Sequence, residues 1–462
     1  MKRPNPAAAL SLFSLAAKRL WSQRLLMLCL LLGLVIAVGL LSSIPLYADA
    51  AQNKLLQGEL GADAAGGEGS ADGQAEAVSS EPFSFLWRYI GAWSGNVAWA
   101  DYTPLSDYLR QQAPSLVGLP LETQVHHVAT DKMRLFPSED AAFIPDEPLL
   151  WVSLGFVTGL EDHVQLLEGS FPPASGPATA AAEAVEILVR RTTADTLGLQ
   201  VGEYYTLFLT GQRAQIPVRI AGVWQANDPA DPFWFYQPSA FDEVLLTSEE
   251  AFAAQVAGVV EAPVATAIWY QIFDGSRVRP TNVNELLDNV AVVEARVTAL
   301  LNDTALDASP VPALRSYGQS ANLLTLQLTI FSLPVIGLVV YFISLIAGMV
   351  VRRGQSEIAI MRSRGITSQK IVNLYLLEGL LVGGLGLTAG LLLGRTAAQL
   401  MSRMRTFLDS GLLIGAGAEP LAIILTPTAL VYALVGVGLT LAALLVPAVL
   451  TSRHSIAVSY TH

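Results

Sequence analysis

A chain of 462 residues with 52% hydrophobic and only 14% charged side chains, and a mean hydropathy of +0.46, holds more apolar matter than one water-soluble core consumes, so part of it belongs in lipid. The net charge of −12 and the scarcity of basic residues away from the apolar stretches exclude a nucleic-acid surface. One cysteine, Cys29, excludes an intrachain disulfide framework.

At the start of the chain, Leu10, Phe13, Ala17, Leu20 and Trp21 recur at helical spacing, with Lys18, Arg19, Gln23 and Arg24 elsewhere around the wheel. Residues 1–24 therefore read as an amphipathic cytoplasmic helix lying in the inner headgroups, or as a positive flank that fixes topology. A bilayer core of roughly 30 Å needs about 20 apolar residues to span it. The run 25–47 meets that length and is the expected first span. It is longer than the roughly 7 to 15 residues of a signal-peptide core and leaves through PLYADA, a weak cleavage site, so retention as an anchor is expected.

Residues 48–322 carry 35 acidic and 13 basic side chains, a balance of −22, while the rest of the chain stands at +10. The acidity belongs to one compartment, and this segment is the expected extracytoplasmic domain. Its stretch 58–82, dense in Gly, Ala, Ser and Glu, reads as a flexible linker. Next, 83–102 sets Trp87, Trp93 and Trp99 among Leu86, Ile90 and Val97, which reads as a packed helix face or one resting near the outer leaflet, with an aromatic ligand platform as the alternative. Short alternating runs at 185–189, 204–210, 216–223 and 267–273 predict strands, with helices over 192–199 and 248–256. Over 284–301, Leu286, Leu287, Val290, Val293, Val297 and Leu300 recur near a 3.5-residue period. That helix is either a stalk leading to the next span, past a break at Pro310 and Pro312, or an ordinary amphipathic helix of the domain.

Further spans are expected over 323–351, 371–397 and 422–450, with a basic loop at 352–370, a short outer loop at 398–421 and a tail at 451–462. The fold class is thus an integral membrane bundle of four transmembrane helices plus a large extracytoplasmic mixed α+β domain. Lys and Arg are retained on the cytoplasmic side. Lys2, Arg3, Lys18, Arg19 and Arg24 then hold the N-terminus inside, and Arg352, Arg353, Arg362, Arg364, Lys370 and Arg453 place the basic loop and the tail there too; Arg403 and Arg405 point the other way.

In the third span Gly379, Gly383, Gly386, Gly390 and Gly394 fall at steps of three or four, a smooth stripe that lets helices approach closely in lipid. Packing on the second or fourth span and self-association both fit that stripe. Glu378 is the acidic residue well inside this span, where an ionised carboxylate costs roughly 2.5 to 3.5 kcal/mol. A structural hydrogen bond inside the bundle is the reading preferred over a proton relay.

None of the five lysines follows a glycine, so the phosphate-binding GxxxxGK[ST] loop is missing. HExxH, CxxC and GxSxG are missing as well, and the histidines at 126, 127, 163, 454 and 462 lack ligand spacing. His126 and His127 fall in an expected strand, where adjacent side chains face opposite ways and at most one turns inward. The segment NDPADP at 227–232 brings two carboxylates together, but reads as turn chemistry rather than a calcium loop. No catalytic residue, cofactor or metal is expected.

The run RRGQSEIAIMRSRGITSQKIVNLYLLEGLLVGGLGLTAGLLLG at 352–394 resembles the signature of FtsX-like permeases of ABC transporters, of the MacB and LolCE type. The segments QLLEGSFP from 165, EILV from 186, LGLQVG from 197 and VRIAGV from 218 are similar to the MacB-like periplasmic core. The resemblance is weakest over 58–102 and 229–280. It implies a type VII, mechanotransmitting permease: two copies of four spans, served by a separate ATPase (of the MacB, LolD or FtsE kind) at the cytoplasmic face, with outer domains that move as the ATPases dimerise. It further implies that 357–365 is the coupling helix, where Glu357, Arg362 and Arg364 pair with the ATPase, Ile358 and Met361 fill its groove, and Gly365 ends the helix. Independently of the family, Ile358 and Met361 share one helical face while the charges solvate the rest. A basic loop that merely fixes topology is the alternative. Family members carry Leu or Ala where this chain has Ser363 and Arg364.

SRHSI at 452–456 resembles the start of a linker to a second permease half, so the expected partner is that half or a second copy of this chain. Beyond it, an extracytoplasmic substrate or adaptor protein is expected. Three functions follow: a permease subunit handling lipid-like, lipoprotein, peptide or drug cargo; an FtsX-like regulator of an outer enzyme such as a cell-wall hydrolase; or an unpowered membrane-anchored binding domain.

Overall fold

The computed structural model of the chain describes residues 24–65, 81–138, 147–173, 184–209, 215–363, 367–408 and 425–453. The expected amphipathic N-terminal helix, most of the outer loop and most of the C-terminal tail lie outside these residues. Contacts divide the chain into two units, Leu56–Gly318 and the remainder.

The remainder is helical. It is built from α1 (Arg24–Ala65), α6 (Val311–Ser363), α7 (Ser368–Leu408) and α8 (Pro427–Arg453). Among the described residues three helical stretches are long and apolar enough to cross a bilayer, Met27–Gly61, Val311–Phe342 and Gln369–Met401, and a shorter apolar stretch covers Pro427–Ala442. Helix α1 does not stop at the expected end of the first span or give way to a linker at Gly58; it runs on to Ala65. Past Pro45, which removes one backbone donor, the run 48–65 is rich in Ala, Leu and Gln, whose helix propensity outweighs the roughly 1 kcal/mol penalty of each of its two glycines, Gly58 and Gly61.

The second unit is a mixed α/β domain whose eleven strands form one sheet in the order β11-β1-β10-β2-β4-β3-β7-β8-β6-β9, with β5 added on β8. The strands are β1 (Ser84–Ile90), β2 (Leu121–Ala129), β3 (Met133–Pro137), β4 (Leu150–Val157), β5 (Val164–Gly169), β6 (Val185–Arg190), β7 (Tyr204–Leu209), β8 (Gln215–Ala226), β9 (Val244–Leu246), β10 (Thr266–Phe273) and β11 (Ala305–Ala308). Because β9 also pairs with β4, in parallel, the path β4-β3-β7-β8-β6-β9 closes on itself as a ring of six strands. Outside the ring, β11, β1, β10 and β2 form an antiparallel sheet.

Strand β1 occupies the segment expected to be helical. Its burial is nearly continuous, with Phe85, Leu86 and Trp87 all inside, so no alternation marks it as a strand in sequence. One face of β10 and β2 is covered by α2 (Trp99–Asp107) and the π-helical turn Tyr108–Gln112, which leads into α3 (Ala113–Val117). Here Trp269 Nε1 donates to Ser106 Oγ at 3.4 Å, Gln271 Nε2 donates to the Leu109 carbonyl at 2.8 Å, and the Tyr102 and Trp269 rings stack at 5.6 Å.

Helix α4 (Arg191–Leu197) ends at Gly198, whose φ of 70° is the left-handed conformation that favours glycine at a helix end. The helix expected over 284–301 is α5 (Val283–Leu300). Its buried row Val283, Leu286, Val290, Val293 and Val297 belongs to the domain, beside α2 and α3. Strand β11 follows it and returns the chain to the sheet, so the helix that enters the second span is α6, which starts after Pro310 and carries Pro312 in its first turn, where a missing donor costs little.

Candidate functional site in the helical unit

Residues 351–363, which include most of the expected coupling helix, form the last turns of α6, continuous over 53 residues from Val311. Gly354 is the only glycine or proline in those turns, and a single glycine costs roughly 1 kcal/mol, too little to break the helix. Glu357, Ile358, Met361 and Arg362 therefore ride on the end of the same helix that carries the apolar stretch 311–342, and Arg364 and Gly365 lie outside the described residues. Helix α7 opens at Ser368, with the Lys370 amide donating to the Thr367 carbonyl at 3.0 Å.

Behind this elbow the glycine stripe of α7 is buried throughout. Its main neighbour is the first helix, α1, a partner not among those expected. A Cβ at Gly390 would stand 2.6 Å from Val38 Cβ, one at Gly386 would run into Leu34, and one at Gly394 into Ser42. Gly383 meets α8 instead, at Val437 Cγ1, 3.0 Å away. The approach is reciprocal, since a Cβ at Gly39 of α1 would lie 2.8 Å from Leu393. Met27, Leu30, Leu34 and Val38 of α1 form one core with Val382 of α7 and Ala433 of α8. Glu378, one turn from Tyr375, is buried at 3% exposure.

Polar ties that sequence reasoning missed hold one end of the bundle. Gln52 Nε2 donates to Thr325 Oγ1 at 3.0 Å and Thr428 Oγ1 donates to Asp49 Oδ2 at 2.9 Å, joining α1 to α6 and to α8. Their signal is the cluster of polar residues directly after the first apolar run. By contrast α6 is the least covered of the three long apolar helices: 6% of its most apolar window is buried, against 50% for α1 and 33% for α7.

The candidates in the sheet domain resolve into structure. His126 and His127 are both buried, not one, because β2 is covered on its two faces. His126 packs beside the Tyr102 and Trp269 rings, with centroids 5.7 and 5.5 Å away, and is hydrogen-bonded to the Tyr102 hydroxyl. His127 shares its Nδ1 with the Phe156 carbonyl at 2.8 Å and packs on Phe235 and Phe241. Burial pushes both imidazoles down, His127 to about 4.

The segment 227–232 is a turn in which Asp228 Oδ1 accepts from the Ala230 amide and Asp231 Oδ1 from the Phe233 amide, both at 2.9 Å. Trp87 and Trp99 are not a ligand platform; Trp87 is core, and Trp99 packs on Tyr102, Phe156 and Phe252. Among the described residues no group of three or more His, Cys, Asp or Glu is disposed to hold a metal ion.

Residues 329–456 match the family model described as FtsX-like permease C-terminal. Among solved structures, a crystallised domain of a Porphyromonas gingivalis protein described as a permease aligns at 11% identity over 49% of this chain and 91% of its own, with a TM-score of 0.25, a value too low to carry weight. No curated protein matches.

Proposed function

We propose that this chain, which carries an FtsX-like permease C-terminal segment over residues 329–456, is the membrane subunit of an ABC transporter of the mechanotransmitting class. A separate ATPase drives it from the cytoplasmic face, and its MacB-like extracytoplasmic domain handles a lipid-like, lipoprotein, peptide or drug cargo. The observation that carries this reading is α6, a single helix that joins the family-matched elbow to the foot of the sheet domain, Ala308 standing three residues before Val311. A helix has a fixed rise per residue, so displacement at Glu357 and Arg362 is carried along α6, with Pro334 as the one interior point where it can bend.

Four spans are part of the proposal. At 1.5 Å per residue the 27 residues of α8 reach about 40 Å, enough to cross a core of roughly 30 Å. The exposed flank of α6 favours a further bundle as neighbour, either a second copy of this chain or a second permease half.

The coupling test is direct. In membranes holding the chain and its ATPase, Glu357→Ala with Arg362→Ala is expected to lower cargo-stimulated ATP hydrolysis about tenfold or more, the loss of two charge-assisted contacts, while insertion is unchanged. Undiminished coupling in the double variant overturns the assignment. Deleting 81–318 and measuring export against wall hydrolysis separates cargo handling from FtsX-like control of an outer enzyme.

A further inference from the structure

Four consecutive aromatic residues, Phe233, Trp234, Phe235 and Tyr236, cross the sheet domain where its antiparallel part meets the strand ring, and each rests on a different wall. Phe233 stacks on His163, in the turn before β5, at 3.9 Å. Trp234 stacks on Trp224 of the ring strand β8 at 5.9 Å. Phe235 meets His127 of β2 at 5.8 Å and Tyr270 of β10 at 6.2 Å. Tyr236 accepts a hydrogen bond from Arg88 of β1, and Arg88 in turn pairs with Asp307 of β11.

The start of this stitch is anchored separately. Asp231 Oδ2 is paired with His163 Nδ1 at 2.7 Å, and Trp234 Nε1 donates to the Asp228 carbonyl at 3.1 Å. Asp307 sits four residues before the first residue of α6, and among the described residues β11 pairs with β1 alone. Strand β11 is also only four residues long and shifts register against β1 at Leu86 and Trp87, so the Arg88–Asp307 pair adds a side-chain tie there to the burial of Val311, Leu314 and Tyr317 at the root of α6.

We propose that the Phe233–Tyr236 stitch is the relay through which movement of α6 reaches the strand ring, with Tyr236 as the positioning residue that engages the helix root through Arg88 and Asp307. Movement of β11 carries Asp307, Arg88 follows it, and the Tyr236 ring turns a rigid aromatic row in which Trp234 is stacked on Trp224 of β8. The inference deepens the mechanotransmission reading and rests on it for its purpose, though not for its test.

The test uses the full chain in lipid nanodiscs, with Cys29→Ser and with Gln52→Cys and Thr325→Cys, the pair that joins α1 to α6, oxidised to clamp the two helices without nucleotide or ATPase. Amide hydrogen exchange over 231–241 is expected to slow about fivefold or more on oxidation in the otherwise unchanged chain. In Tyr236→Phe and in Asp307→Asn that response is lost while β2 and β10 keep their protection, and Asp307→Glu restores it. A response of equal size in Tyr236→Phe, or none in the unchanged chain, overturns the relay. A failure of the ATPase-coupling test removes the powered reading alone, since the clamp acts with no nucleotide present.

Discussion

His126 and His127 stand back to back on β2, and both rings are kept neutral by burial. A histidine whose folded pKa lies below its unfolded value near 6.5 takes up its proton first in the unfolded chain, so the native state loses stability as pH falls from about 6.5 towards 4. For His127, at about 4, the loss amounts to roughly 3 kcal/mol by the lower pH. Tryptophan-fluorescence melts of the full chain between pH 7 and 4 are expected to show this fall, and His127→Gln, which keeps an acceptor and a donor but cannot titrate, is expected to flatten it. An unchanged slope in His127→Gln places the acid sensitivity elsewhere.

At the same scale, Gly390 and Gly384 form a matched pair on α7. A side chain at Gly390 has nowhere to go but into Val38, whereas nothing lies within 4 Å of a Cβ at Gly384. Gly390→Leu is therefore expected to cost about 1 to 3 kcal/mol through overpacking. Gly384→Leu is expected to stay within about 0.5 kcal/mol, and thermal unfolding in detergent compares the two.

At the scale of elements, α5 shows what periodicity can and cannot decide. Its apolar row named one face of a helix correctly, but a row of that period serves a stalk and a domain helix alike; contact with α2 and α3 made the choice. Leu286→Ala is accordingly expected to destabilise the domain by about 2 to 5 kcal/mol, as for a buried core leucine. Exposed Val292, changed to Ala, is expected to stay within about 0.5 kcal/mol, and equal effects would return α5 to a role outside the core.

The strands at β6, β7, β8 and β10 were legible because their apolar residues alternate or cluster between turns. Strand β1 was not, since SFLWRYI is apolar on both faces, and neither was β9, whose three residues carry no period at all. The stripe of α7 was visible residue by residue, and α8, which it meets at Gly383, was among the partners expected, while α1, which it meets at Gly386, Gly390 and Gly394, was not, because spacing identifies a face and says nothing of what lies against it. The continuation of α1 was hidden by Gly58 and Gly61, which read as linker composition.

At the scale of the whole molecule, residues 329–456 match the FtsX-like permease C-terminal model, and the described helices long and apolar enough to cross a bilayer accompany a large α/β domain. The proposed orientation puts the elbow and the domain on opposite sides of the bilayer. With Cys29→Ser as background, a membrane-impermeant thiol reagent applied to intact cells is expected to label Gln165→Cys on β5 and to spare Gln355→Cys until the membrane is opened. Labelling of both from outside would remove any route by which an internal ATPase could act.

The six-strand ring has a mechanical corollary. A hoop of paired strands offers no loose end from which to peel, so tension arriving at one point is shared around the circumference instead of unzipping a single ladder. Its narrowest weld is the lone Leu188–Leu246 pairing between β6 and β9. Stretched between the ends of the chain in an optical trap, the domain should therefore hold until that weld parts and then give way in one tall rip rather than a staircase.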